Sequence, residues 1–258
     1  MTLKTTGTLL SLILFCLMVI VTLLVPSAAG PYRWLLIVPL AGAVVFFRFS
    51  FFPLFGPTLF LLLCYLFRFL PLPPLSVLLI IPIAVYTGIV LTARPVRRET
   101  TWLSRCAVTP RLVIGAVAVV AVSSAALVAW YLIMDPDITV FTEFIPARPL
   151  YQLLVGGLAF ALLNGVVEEV IFRGILWDGI KALVPAPWVL LTVQALFFGT
   201  AHFWGVPNGI VGAVMATIYG LMLGIIRLRA DGLLMAIITH VFADIVIFCI
   251  LLDIAGRI

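Results

Sequence analysis

The chain has 258 residues, of which 65% are hydrophobic and 10% charged, and its mean hydropathy is +1.33. Soluble domains carry roughly 25% charged residues, so a soluble enzyme is excluded and lipid is the expected solvent. The net charge of +5 comes largely from arginines scattered singly or gathered beside apolar runs. That is the charge pattern of membrane topology and not of a nucleic-acid-binding stripe.

Lipid offers no partner to an unpaired backbone group, so the expected fold is all-α: a polytopic membrane helical bundle of about 8–9 transmembrane helices. Apolar runs separated by Pro, Gly and charge clusters put the spans near residues 8–25, 33–47, 51–70, 75–93, 112–133, 149–167, 187–204, 209–226 and 232–252. The first begins after Lys4 and ends before the small residues Ser27, Ala28 and Ala29, as a secretory signal does. Its apolar core of some 18 residues exceeds the usual 7–15, so a retained span is expected. The second run is short and the third contains Pro53 and Pro57, so either is a candidate for a kinked, tilted or re-entrant segment. Cys16, Cys64, Cys106 and Cys249 are widely spaced with no CxxC pair, which predicts neither disulfides nor a thiolate metal site.

Loop charges set the orientation. Arg94, Arg97, Arg98, Arg105 and Arg111 crowd one connection, whereas Asp135, Asp137 and Glu143 dominate the next. The positive-inside rule puts the first in the cytoplasm. Counting outward places Lys4, Arg48 and the Arg227/Arg229 pair on the same side, with the N-terminus cytoplasmic and the C-terminus outside. The expected location is a bacterial inner membrane. The Arg94 to Arg111 loop is expected to act as a topology anchor.

In or beside the apolar runs of the C-terminal part stand Glu168, Glu169, Arg173, His202, His240 and Asp244, and these include both histidines of the chain. Ionisable residues at membrane depth are costly and mark functional sites by default. On a helix, four-residue spacing stacks Glu169 over Arg173 so that they can pair, while Glu168 lies about 100° around the axis and stays free to act as a general base. His202 follows Phe198 by four residues and precedes an irregular Gly/Pro-containing turn at 203–209. His240 and Asp244 are also four apart, so the carboxylate can orient or charge the imidazole. If the helix carrying Glu168 runs to about Leu183 and turns at Pro185 and Pro187, then Glu168 and His202 lie at matching heights, about 25 Å from that turn. Straight helices would leave His240 roughly 10 Å from that level. The charge-based topology puts Glu168 nearer the outer half.

These motifs resemble the CAAX-protease and bacteriocin-processing family of glutamic intramembrane endopeptidases. Two glutamates followed by three residues and an arginine are met by Glu168, Glu169 and Arg173; phenylalanine-x-x-x-histidine by Phe198 and His202; histidine-x-x-x-asparagine-or-aspartate by His240 and Asp244. The resemblance covers about residues 150–250 and implies a catalytic helical core at 141–258, with residues 1–140 forming N-terminal helices of unassigned role. It implies that Glu168 activates a water held jointly with His202, that His240 and Asp244 stabilise the oxyanion, and that Glu169, Arg173 and Phe198 support the geometry. An ionised Asp cannot donate a hydrogen bond as Asn could, so Asp244 either carries a proton or mainly orients His240.

The implied substrate is a peptide or protein with a membrane-associated C-terminal segment, met at the lipid bilayer, with no nucleic acid involved. No cofactor is expected. One Glu and two His also make a common catalytic zinc set, so a zinc enzyme using Glu168, His202 and His240 is the alternative, although no HExxH is present. Two readings of other classes remain: a proton-coupled transporter, for which inverted repeats are expected and none is found, and a non-catalytic membrane scaffold or immunity protein.

Overall fold

The computed structural model describes residues 3–24, 36–67, 75–184 and 186–257. Ser27, Ala28, Ala29 and Pro185 lie outside the described residues. Those described form helices and connections, with no strand among them. In order they are α1 (Leu3–Leu24), α2 (Ile37–Ser50), α3 (Phe55–Phe67), α4 (Leu75–Thr92), the short α5 (Arg94–Arg98), α6 (Pro110–Met134), the single turn α7 (Thr139–Thr142), α8 (Leu150–Glu169), α9 (Leu176–Leu183), α10 (Pro187–Ala201), α11 (Gly209–Ala230) and α12 (Leu234–Ile254). A π-helical turn, Val170–Ile175, joins α8 to α9 without a break.

Among the described residues four helices are long and apolar enough to cross a membrane: Pro110–Met134, the continuous Leu150–Leu183, Gly209–Ala230 and Leu234–Ile254. Shorter apolar helices cover Thr8–Leu23, Ile37–Ser50, Phe52–Phe67 and Leu79–Thr92. Large side chains project from the outside of the bundle, among them Phe49 at 85% and Ile133 at 78% exposure. Water would not tolerate so much contiguous apolar surface, so lipid covers it and the protein is integral to a membrane.

The helix ends follow the local chemistry. Thr109 caps α6 by accepting from the Leu112 amide, Pro110 occupies its first turn, and Asp135 ends it in the left-handed region. Asp231 closes α11 in the same way. Pro187 starts α10, as its missing N–H and fixed φ allow. The two doubtful early spans resolve as a pair of short helices: α2 and α3 pack together and are joined at Phe52–Leu54, a 3-10 turn that holds Pro53. At 14 and 13 residues, each is about 20 Å long, well short of a 30 Å hydrocarbon core.

The ends of the bundle sort by charge. The Ala107 amide bonds the Ala230 carbonyl, Ser104 bonds the Asp231 carbonyl, and Thr101 bonds Asp178. The basic loop and the end of α11 therefore share one face. At the opposite end Tyr131 donates to Asp253 and Asn208 to the Asp137 carbonyl. The Arg94 to Arg111 loop is accordingly more than an anchor, since it is docked onto α9 and α11. Arg227 likewise departs from the topology-charge reading: it is buried, while Arg229 is exposed.

The largest apolar cluster joins both halves of the chain, with Phe15, Phe47, Phe60 and Tyr86 packed alongside Val167, Ile175, Ile180 and Phe198. Among the described helices α10 packs most extensively against α11, where Gly199 removes the side chain that would otherwise separate the backbones. A Cβ there would run into the Thr217 hydroxyl and the Ala213 carbonyl. Gly199→Ala should therefore cost about 1–3 kcal/mol of stability, read as a lower melting midpoint in detergent. Gly88→Ala, where a Cβ meets nothing within 4 Å, should show no such loss.

Candidate active site

The site is built on α8, the π turn, α10 and α12. In the π turn the Leu176 amide reaches back to the Ile171 carbonyl, five residues away, and all six residues of the segment are buried. Such turns free carbonyls and re-aim side chains, and they recur at functional sites. Here the Arg173 carbonyl accepts a bond from Arg227 Nε at 3.2 Å, a contact from outside the helix.

Glu169 and Arg173 are fully buried and paired at 2.9 Å, as their four-residue spacing implies. Arg173 also donates to the Gly220 carbonyl at 3.1 Å, and its guanidinium lies 4.2 Å from the Phe198 ring centroid. The same Glu169 oxygen that accepts from Arg173 accepts from His240 Nδ1 at 2.7 Å. Glu169 therefore orients His240. Asp244, the residue expected in that role, stands 3.7 Å from His240 Nε2, outside hydrogen-bond reach.

His202 caps the end of α10 and folds back over it. Its Nδ1 donates to the Phe198 carbonyl at 2.9 Å, and its ring lies 4.3 Å from the Phe198 ring. A carbonyl only accepts, so the proton sits on Nδ1 and Nε2 is turned into the site. Phe198 is the hub of the packing: Phe172, His240 and Tyr219 also meet it, at 5.1, 5.8 and 6.4 Å between rings.

Glu168 stands where these groups converge. Its Oε2 lies 3.8 Å from His202 Nε2 and 3.6 Å from His240 Nε2. That oxygen is buried and accepts no hydrogen bond from the protein. The spacing is too wide for direct bonds and suits three polar atoms sharing one small ligand, each at an ordinary hydrogen-bond distance of about 2.8 Å. The side chains of Glu168 and His202 are 21% and 16% exposed, whereas those of His240 and Asp244 are 3% and 5%. The opening is thus on the Glu168–His202 side. Among the described residues no group of three or more His, Cys, Asp or Glu has the arrangement of a metal site, and no disulfide joins the cysteines.

The structure brings Glu168, Glu169, Arg173, Phe198, His202, His240 and Asp244 into one cluster. The helix carrying Glu168 does end at Leu183, and α10 does begin at Pro187. Glu168 and His202 meet as their equal distances from that turn imply. The roughly 10 Å gap expected for His240 closes in part because His202 bends back along α10 toward Phe198. Distances along the helices place the site relative to the two ends of the bundle. Glu168 is ten residues, about 15 Å, from Asp178 at the basic face, and eighteen residues, about 27 Å, from Leu150 at the other end. His240 is six residues from the start of α12, about 9 Å. Both place the site nearer the basic end.

Three residues of the cluster stand outside the sequence motifs. Asn164, one turn before Glu168, donates from Nδ2 to Glu168 Oε1 and Asp244 Oδ2, each at 3.2 Å. Tyr219 sets its ring edge-on to His240 and bonds the Thr239 carbonyl at 3.2 Å. Gln194 donates to the Gly220 carbonyl at 2.9 Å, beside Arg173. Asn164 could have been noticed by its i,i+4 relation to Glu168; the other two answer to tertiary contacts alone.

Residues 149–246 match the family model described as type II CAAX prenyl endopeptidase Rce1-like. This stretch is an Rce1-like region. It begins at the residue preceding α8 and ends two residues past Asp244, so it contains every member of the cluster. The match agrees with the resemblance carried by the three motifs. No curated protein and no solved structure matches the chain.

Within the Rce1-like region the buried ion pair is the most sensitive point. Arg173→Ala strands a fully buried Glu169 carboxylate and should cost about 3–5 kcal/mol. Arg173→Lys, which keeps the charge but not the forked reach to both Glu169 and the Gly220 carbonyl, should fall between that variant and the wild type. Thermal melts of the purified proteins in one detergent rank the three.

Proposed function

We propose that this protein is an intramembrane endopeptidase that hydrolyses a peptide bond in a membrane-associated peptide or protein tail. The observation that carries the reading is the buried, unpaired Glu168 Oε2 facing Nε2 of both His202 and His240. A water at that convergence loses its proton to Glu168 as it attacks the scissile carbonyl, while His202 holds it in line. Negative charge then develops on the carbonyl oxygen, and its collapse breaks the C–N bond as Glu168 passes the proton to the leaving amine. His240, with Nδ1 held by Glu169, presents Nε2–H as a donor to that oxygen when its ring is protonated, in surroundings dry enough to make the bond count. Glu169, Arg173 and Phe198 keep the imidazoles and the base in register, and Asp244 completes the polar wall.

The Rce1-like match supports a substrate with a CAAX-type, prenylated C-terminus, and the resemblance also supports an unlipidated peptide precursor or anchored tail. The proposal takes residues 141–258 as the catalytic core and residues 1–140 as a helical support. It places the chain in a bacterial inner membrane by eight or nine spans with the N-terminus in the cytoplasm. Under the positive-inside rule the basic end is then cytoplasmic, and the site's position nearer that end favours substrate entry from there. The reaction in this proposal needs no cofactor. The zinc alternative draws on the same three atoms, since both Nδ1 atoms are tied to oxygen acceptors and both Nε2 atoms face Glu168.

The test is cleavage of a fluorogenic farnesylated CAAX peptide, and of the same peptide without the lipid, by the purified protein in proteoliposomes. Glu168→Ala and His202→Ala should each lower the rate by roughly 10²–10⁴-fold; activity that survives either change removes the proposal. Dialysis against a chelator should leave the rate intact, and loss reversed by zinc would transfer the mechanism to the metal form. Ion flux abolished by Glu168→Gln, with neither peptide cut, would identify a carrier instead.

A further inference from the structure

Asn164 occupies a position that the three motifs leave unassigned. Its side-chain nitrogen has two hydrogens, and the carboxylates that meet it belong to different helices: Glu168 on its own helix and Asp244, eighty residues on, on α12. Ionised carboxylate oxygens only accept, so the amide must turn its nitrogen toward both. One amide thus bridges the general base and the acid on the His240 helix. Without it the two carboxylates would lose the amide that joins them and would repel.

The bridge also distinguishes the two oxygens of Glu168. Oε1 is held by Asn164, and Oε2 is the one left facing the imidazoles. The terminal torsion of a glutamate is broad, with no sharp preferred value of its own. Something outside the residue must select the rotation that aims Oε2 at His202 and His240, and Asn164 is the donor in place to do so. The four-residue spacing puts both side chains on one helix face, so the selection is built into the helix before substrate arrives.

We propose that Asn164 is a positioning residue for the hydrolysis: it fixes the Glu168 carboxylate so that Oε2 serves as the base, and it tethers Asp244 to the same centre. The inference rests on the endopeptidase reading above. Because a misplaced group of this kind costs about 10²-fold in rate, Asn164→Ala should lower kcat by about that factor while KM for the farnesylated peptide stays near its wild-type value. Asn164→Asp puts a third carboxylate beside two others and should lose more. The exchange Asn164→Asp with Asp244→Asn returns an amide donor to the 164–244 contact, and it should recover part of what Asn164→Asp loses.

Purified variants are compared with the wild type on the two peptides, with melting curves in detergent recorded alongside. A wild-type kcat in Asn164→Ala, or an exchange variant no better than Asn164→Asp alone, overturns the inference. So does a lowered melting midpoint with a raised KM and unchanged kcat, which is what a merely structural residue would give. If Asn164→Ala does not fold, the Asn164→Asp and exchange pair carries the comparison. Glu168→Gln separates the two levels of the argument: if it abolishes cleavage while Asn164→Ala does not lower kcat, only the role of Asn164 fails. If Glu168→Gln still cleaves, or the wild type cuts neither peptide, the endopeptidase reading fails and takes this inference with it.

Discussion

A guanidinium buried with no exposure to solvent holds this site together. Arg173 can remain charged there only because Glu169 meets it at 2.9 Å, the Gly220 carbonyl takes a second bond, and the face of Phe198 lies under its charge. Glu169 then passes the constraint to His240 through a 2.7 Å bond. Remove the cation and the Glu169 carboxylate and the Gly220 carbonyl each lose a partner, and the bond that orients His240 loses its anchor. The geometry around Glu168 is downstream of that one ion pair.

The π turn explains how the chain can bring so many polar groups to one depth. An uninterrupted α-helix would return every carbonyl of this segment to its own ladder. With a five-residue turn, the Arg173 carbonyl is reached by Arg227, which also bonds Thr101 in the basic loop at 3.3 Å and lies 5.6 Å from the Trp177 ring. Thr101 in turn is held twice by Asp178. The loop at the basic face is therefore linked, through two buried arginines, to the carboxylate that orients His240. The N-terminal half adds its own constraint, since Phe15 and Pro57 close on Gly179 of α9 and so brace the continuous helix that carries Glu168.

Most of the site could be read before any coordinates. The pairing of Glu169 with Arg173, the sharing of a face by Phe198 and His202, and the meeting of Glu168 with His202 all follow from spacing on helices and from equal distance to one turn. Those are local or nearly local quantities, set by a rise of about 1.5 Å and about 100° per residue. The orienting partner of His240 did not follow, because spacing favours Asp244 at four residues, whereas the actual partner is 71 residues away. Arg227 was misread for a similar reason: a charge near a span end looks like a topology marker until another helix and a loop are seen to bury it.

What the sequence determined by itself is the solvent, the helical class, the shared face of the basic clusters and the identity of the residues able to do acid–base chemistry. Each of these depends on composition, on periodicity or on the cost of charge in lipid, and none requires knowing which helix touches which. Tertiary structure alone decided that Glu169 and not Asp244 holds His240, that Asn164 joins two carboxylates, and that the cluster lies toward the basic end. Those facts depend on one widened turn and on the packing of α8, α10, α11 and α12 against one another, and both arise from contacts between segments that no local spacing encodes.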